Sequence, residues 1–186
     1  MCLPALASSQ KSVPALLDTK EEKPLTQAEL SRYFSDCKYN IPRRFTPDAR
    51  EFFCGCTATK LKEEKFFPSE LKAMQSAKNF VITNKTFEKY ASRVVAPCLD
   101  MPTEQIEYLS CLLDSSVDSR ISYVPGYCTC VARKMKSYVK KNAAADILIG
   151  LGTKNFVYSE PVEVLWNNVN YLRKLRQSRK ECITGG

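Results

Sequence analysis

The chain has 186 residues, 44% of them hydrophobic, with Lys+Arg 28 against Asp+Glu 20 and a formal charge of +8. That length suits one large domain or two small ones, the apolar content suffices for a core, and the basic excess favours anionic partners. Histidine is absent, which excludes a Ser-His-Asp triad, a Cys-His dyad, an imidazole proton shuttle and any histidine-ligated metal.

Residues 1–25 carry Pro4, Pro14 and Pro24, with Ser8-Ser9 and Lys20-Glu21-Glu22-Lys23 between them. This is a linker composition. It reads as a flexible leader or as an extended arm that orders on a partner, with Val13, Leu16 and Leu17 as anchors. Ala5-Leu6-Ala7 resembles the end of a secretory signal, but the residues before it are too few and lack a basic start. Cys2 is either the lipid-bearing first residue of a mature lipoprotein or an unpaired terminal thiol. No apolar run of about 18 residues occurs, so no helix is expected to span a bilayer.

Eight cysteines follow, and their spacing repeats. Cys37 and Cys54 are 17 residues apart and are followed by Cys56; Cys111 and Cys128 are 17 apart and are followed by Cys130. Cys98 closes the first set and Cys182 the second. Tyr33-Phe34-Ser35-Asp36-Cys37 answers Tyr108-Leu109-Ser110-Cys111, and Lys78-Asn79-Phe80-Val81 recurs as Lys154-Asn155-Phe156-Val157. The pattern predicts a tandem duplication of a four-cysteine unit, over residues 26–100 and 101–186.

Each unit reads as four helical pieces, so the fold class is all-α. The first piece runs from Thr26 to Cys37, and its counterpart starts at Thr103, an N-cap followed by Glu104. The second opens at Thr46-Pro47-Asp48, which places an N-cap, a proline at the first helical position and an acid in the first turn. Its counterpart starts near Pro125. The third covers Pro68 to Ala77, and then Asp146 to Leu151 with Gly152 as a stop. The fourth covers Lys85 to Pro97, and then Ser159 to Cys182, where Val162, Leu165, Val169 and Leu172 form an apolar stripe with Trp166 beside it. Phe80-Val81-Ile82 and Phe156-Val157-Tyr158 read as extended connectors.

The C-x-C pairs lie near the start of the second helix of each unit. Residues two apart on a helix point about 200° from one another. Cys54 and Cys56 are therefore placed to reach two different neighbours, the ends of the first and fourth helices, and Cys128 and Cys130 likewise. Which sulfur takes which neighbour stays open. Disulfides explain so many cysteines better than the rivals do. Zinc knuckles use C-x₂₋₄-C, a redox motif needs C-x-x-C, and reduced buried thiols are seldom this numerous.

Two basic features stand out. Lys38, Arg43 and Arg44 flank Pro42 in the first unit alone, which suggests a partner surface. Arg173, Lys174, Arg176, Arg179 and Lys180 crowd the last helix. They point to contact with phosphate at a membrane surface, or to a solvated helix end whose cations complement the dipole. No aromatic residues interleave them for base stacking, so nucleic acid is not expected. Glu51, Glu63, Glu64 and Glu70 fit exposed helix faces, and Asp114 and Asp118 fit a turn. No catalytic centre, small-molecule substrate, cofactor or metal is expected.

Phe53-Cys54-Gly55-Cys56 and Tyr127-Cys128-Thr129-Cys130, each with an earlier and a later cysteine, resemble a pattern in small secreted helical proteins of Gram-negative bacteria. Such proteins include accessory subunits of type IVB (Dot/Icm) secretion-system outer-membrane complexes and periplasmic immunity proteins. The resemblance implies a non-enzymatic subunit of a cell-envelope assembly, periplasmic or outer-membrane associated, with other protein subunits as partners. The alternative it implies is a periplasmic inhibitor that blocks a toxin enzyme.

Overall fold

A computed structural model describes residues 22–76, 85–115, 117, 121–152 and 161–184. Every regular element among them is helical. The helices are α1 (Gln27–Asn40), α2 (Pro47–Glu63), α3 (Pro68–Ser76), α4 (Lys85–Lys89), α5 (Asp100–Leu112), α6 (Val124–Gly152), α7 (Pro161–Asn167) and α8 (Val169–Thr184). The fold is all-α and disulfide-stabilised, as the cysteine pattern and helical periodicity predict.

Local chemistry accounts for the helix ends. Thr26 caps α1 in a capping box, accepting from the Glu29 amide at 3.3 Å while Glu29 accepts from the Thr26 amide at 2.7 Å. Thr46 caps α2 by accepting from Ala49 N at 3.0 Å, and Pro47 occupies the first helical position. At the other end of α2, Lys65 adopts a left-handed conformation with φ 51°. The Phe66 amide then returns to Leu61 O at 3.0 Å and the Lys65 amide to Lys62 O at 3.2 Å. Leu61 and Phe66, both fully buried, close this turn with an apolar contact.

After α4 the chain widens into a π-helical turn at Tyr90–Val95 and tightens into a 3-10 turn at Ala96–Cys98. Val94 enters a small cluster with Leu25, Leu30, Tyr33, Leu61, Phe66 and Met74. Its neighbour Val95 enters the main core. That core draws on both four-cysteine segments: Phe45, Ala49 and Phe53 from the first meet Val131, Met135, Ile147, Leu165 and Trp166 from the second. Burial of this shared apolar surface is the main stabilising term, helped by the cross-links described below.

Three expectations are corrected. Helix α5 begins at Asp100, and Thr103 is a buried residue of its first turn and not its cap. The helices expected near Pro125 and from Asp146 are one 29-residue helix, α6. Nothing between Cys128 and Ile149 interrupts it, and Cys128, Val131, Met135, Val139, Ala143 and Ile147 keep a continuous buried stripe. The single helix expected from Ser159 to Cys182 is broken at Asn168. The Asn168 side chain donates to Asp146 O at 2.8 Å and accepts from the Asn170 amide at 2.8 Å, which caps α8. The break rotates the stripe. Val162, Leu165 and Trp166 stay buried, but Val169 and Leu172 turn to solvent while Tyr171, Ser178 and Cys182 face inward. The two expected connectors lie outside the described residues.

Candidate interaction site

Four disulfides frame the body: Cys37–Cys54, Cys56–Cys98, Cys111–Cys128 and Cys130–Cys182. Their Cα separations of 5.5–5.9 Å are ordinary for the bond. Of the two arrangements the sequence left open, both halves take the same one. The first sulfur of each C-x-C turns back to the preceding helix, which makes an antiparallel hairpin of α1 with α2 and of α5 with α6. The second reaches forward, to the 3-10 turn in one half and to α8 in the other. Helices α2 and α6 are thus each held on two flanks.

A partly buried polar chain joins the halves. Arg44, in the loop between α1 and α2, pairs with Glu107 of α5 at 3.3 Å and lies over the Trp166 ring at 4.7 Å. Glu107 also accepts from Tyr171 Oη at 2.7 Å. Burial, and after it the Glu107 carboxylate, holds the Tyr171 phenol protonated well above its ordinary value. Tyr138 packs edge-on to Tyr171 and donates to Asp146. Its own pKa is raised by burial and by that carboxylate. Asp146 accepts in turn from Asn170 at 3.1 Å. These buried acids are occupied in holding helices together.

The residues singled out in the sequence are spread over several surfaces. Val13, Leu16, Leu17 and Cys2 lie outside the described residues. Lys38 pairs with Glu51 and sits 5.0 Å from the Phe34 ring, so its charge is used within the α1–α2 hairpin. Arg44 is used at Glu107, and Arg43 is exposed. Within the basic cluster of α8, Arg179 pairs with Asp114 at 3.1 Å and Lys174 stands 3.9 Å from Glu181. Arg173, Arg176 and Lys180 face solvent. Lys134 of α6 bonds Glu181 at 2.8 Å, and this contact holds the Glu181 carboxyl below its ordinary range.

Two surfaces escaped sequence reasoning. One is apolar: Leu112, Leu113, Tyr123 and Ile183 are exposed around the α5–α6 connection and the end of α8. Tyr123 stacks closely on Gly126, where a Cβ would meet its ring at 2.4 Å. Leu112-Leu113 followed by a polar stretch was the available signal. The other is a basic groove between α6 and α8, lined by Arg133, Lys134, Ser137, Tyr138, Lys141, Asn142 and Lys174. The i, i+4, i+8 spacing of Arg133, Ser137 and Lys141 was its signal.

Among the described residues no group of three or more Cys, Asp or Glu side chains is placed to hold a metal ion. No described helix is long and apolar enough to cross a membrane. Four disulfides point to an oxidising environment outside the cytoplasm. No protein-family model, curated protein or solved structure matches this chain.

Proposed function

We propose that the chain is a non-enzymatic structural and interaction subunit of a bacterial cell-envelope assembly of the secretion-system type, periplasmic or associated with the outer membrane. The observation that carries this reading is the double clamp on α2 and α6, where each helix is cross-linked to two others. Such a frame keeps helix surfaces in fixed relation, which is what a scaffold between partners requires. The exposed Leu112, Leu113, Tyr123 and Ile183 supply an apolar contact of the kind that partner proteins cover. The shared 17-residue cysteine interval and shared pairing order support an origin by tandem duplication.

In this reading the N-terminal segment, through Val13, Leu16 and Leu17, is a docking arm. The last residues of the 1–25 segment are anchored on the body, which shortens the arm: Leu25 is buried and its amide reaches Phe66 O at 2.9 Å, and Glu22 accepts from the Ser69 amide at 2.8 Å. Deletion of residues 2–21 therefore leaves those contacts in place. The variant is expected to fold, by its helical circular dichroism, yet to drop out of envelope complexes isolated under native conditions. Undiminished incorporation of the deletion variant contradicts the docking arm. Recovery of the full chain from the envelope fraction with no protein partner contradicts the subunit reading itself.

A further inference from the structure

The geometry points to the groove between α6 and α8 as a docking site for an extended acidic segment of a partner protein. The inference rests on the reading of this chain as an interaction subunit and names the chemistry of one partner.

Helices α6 and α8 run antiparallel, since Lys134 meets Glu181 while Asp146 meets Asn168 and Asn170. Between them opens a groove of about 420 Å³. Arg133, Lys134 and Lys141 stand on the α6 wall and Lys174 on the α8 wall. Arg173 is close enough to act on the Tyr138 phenol. Two carboxylates answer these five cations: Glu181, shared by Lys134 and Lys174, and the buried Asp146, which accepts from Tyr138 and Asn170. Arg133 and Lys141 are exposed and have no acidic partner among the described residues. The groove is therefore under-neutralised, and its positive field favours an anion.

Shape selects which anion. Arg133, Ser137 and Lys141 follow one another at about 6 Å along the helix axis. Alternate side chains of an extended peptide repeat at about 6.6–6.8 Å, so acidic residues four positions apart meet Arg133 and Lys141 while the peptide passes over Ser137 between them. Ser137 and Asn142 add hydrogen-bonding groups for the peptide backbone. A flat lipid surface matches the groove less well, because Lys174 is recessed, with 27% of its side chain exposed. A single-stranded nucleic acid would need an open aromatic face, and the Tyr138 ring is engaged with Tyr171 at 6.5 Å.

The test is fluorescence anisotropy of a short labelled peptide of alternating glutamate and serine, titrated with the oxidised full chain. Saturable binding that weakens with salt is expected, with Arg133→Glu/Lys141→Glu lowering affinity by about tenfold or more. A control of equal charge change on exposed residues elsewhere, Arg32→Glu/Lys62→Glu, is expected to shift affinity by no more than about twofold. Absence of saturable binding, equal loss in the two variants, or an equally good glutamine analogue overturns the proposal. So does tighter binding of a thymidine oligonucleotide or of phosphatidylglycerol vesicles. Native partners that stay bound to Arg133→Glu/Lys141→Glu after such a result contradict the groove alone and leave the subunit reading standing.

Discussion

Arg44 forms an ion pair at 3.3 Å with Glu107, a residue 63 positions further along the chain whose side chain is only 2% exposed. The pair ties the α1–α2 loop to α5, and stacking on Trp166 fixes the guanidinium. Arg44→Ala leaves the buried carboxylate with Tyr171 as its remaining partner and is expected to cost about 2–3 kcal/mol. Arg44→Lys keeps the charge but loses the planar stack, and falls between the two. Urea denaturation under oxidising conditions measures both. An Arg44→Ala variant as stable as the parent chain contradicts this role.

Tyr171 and Tyr138 give the fold an alkaline limit. Both phenols have raised pKa values in the folded chain, chiefly through burial and then through Glu107 and Asp146. In the unfolded chain they ionise near 10.0. Their contribution to stability is therefore complete below about pH 10 and is lost as the pH rises towards the folded-state values. Urea midpoints taken across this window should fall with pH, and Tyr171→Phe should make the fall shallower. An unchanged slope in that variant contradicts the assignment.

Lys65 holds a left-handed conformation that glycine adopts without steric cost, in a turn closed by hydrogen bonds to Leu61 and Lys62. Lys65→Gly is expected to stabilise the chain by roughly 0.5–1 kcal/mol. Lys65→Val, a β-branched residue at the same φ, is expected to destabilise it. Thermal denaturation orders the three chains, and a destabilised glycine variant contradicts the reading of this helix end.

The disulfides differ in the loop that they close. Cys37–Cys54 spans 17 residues and Cys130–Cys182 spans 52. On chain entropy alone, removal of the first costs about 3 kcal/mol and of the second about 4 kcal/mol. Paired Cys→Ala variants, compared by denaturant midpoint, should keep that order. Full reduction should abolish cooperative unfolding. A reduced chain that still unfolds cooperatively at the same midpoint removes the clamp from the account.

Much of this architecture is legible in the residues. Thr46-Pro47-Asp48 announces the start of α2 because its cap, its proline and its acid act locally. The repeated cysteine interval locates the cross-links, and the splay of C-x-C on a helix excludes pairing within it. What escapes depends on tertiary contacts. Asn168 ends α7 because Asp146 O accepts its side chain from 22 residues away, and no local pattern reveals that acceptor. Helix α6 runs on past Asp146 because Ile147 and Leu151 continue its buried stripe into the core that Val162, Val164 and Leu165 of α7 share. The α6–α8 groove is invisible for the same reason: its cations belong to segments far apart in the chain. The basic run of α8 was visible, but not that Arg179 is committed to Asp114 or that Lys174 joins Arg133 and Lys141.

The central claim is a rigid body clamped by four specific cross-links, and disulfide mapping tests it most directly. The protein would be alkylated during isolation from its native cell fraction, digested without reduction and analysed by mass spectrometry. The account predicts four bridged peptides, joining Cys37 to Cys54, Cys56 to Cys98, Cys111 to Cys128 and Cys130 to Cys182. Alkylated thiols at these eight positions, or bridges in any other pairing, would contradict it.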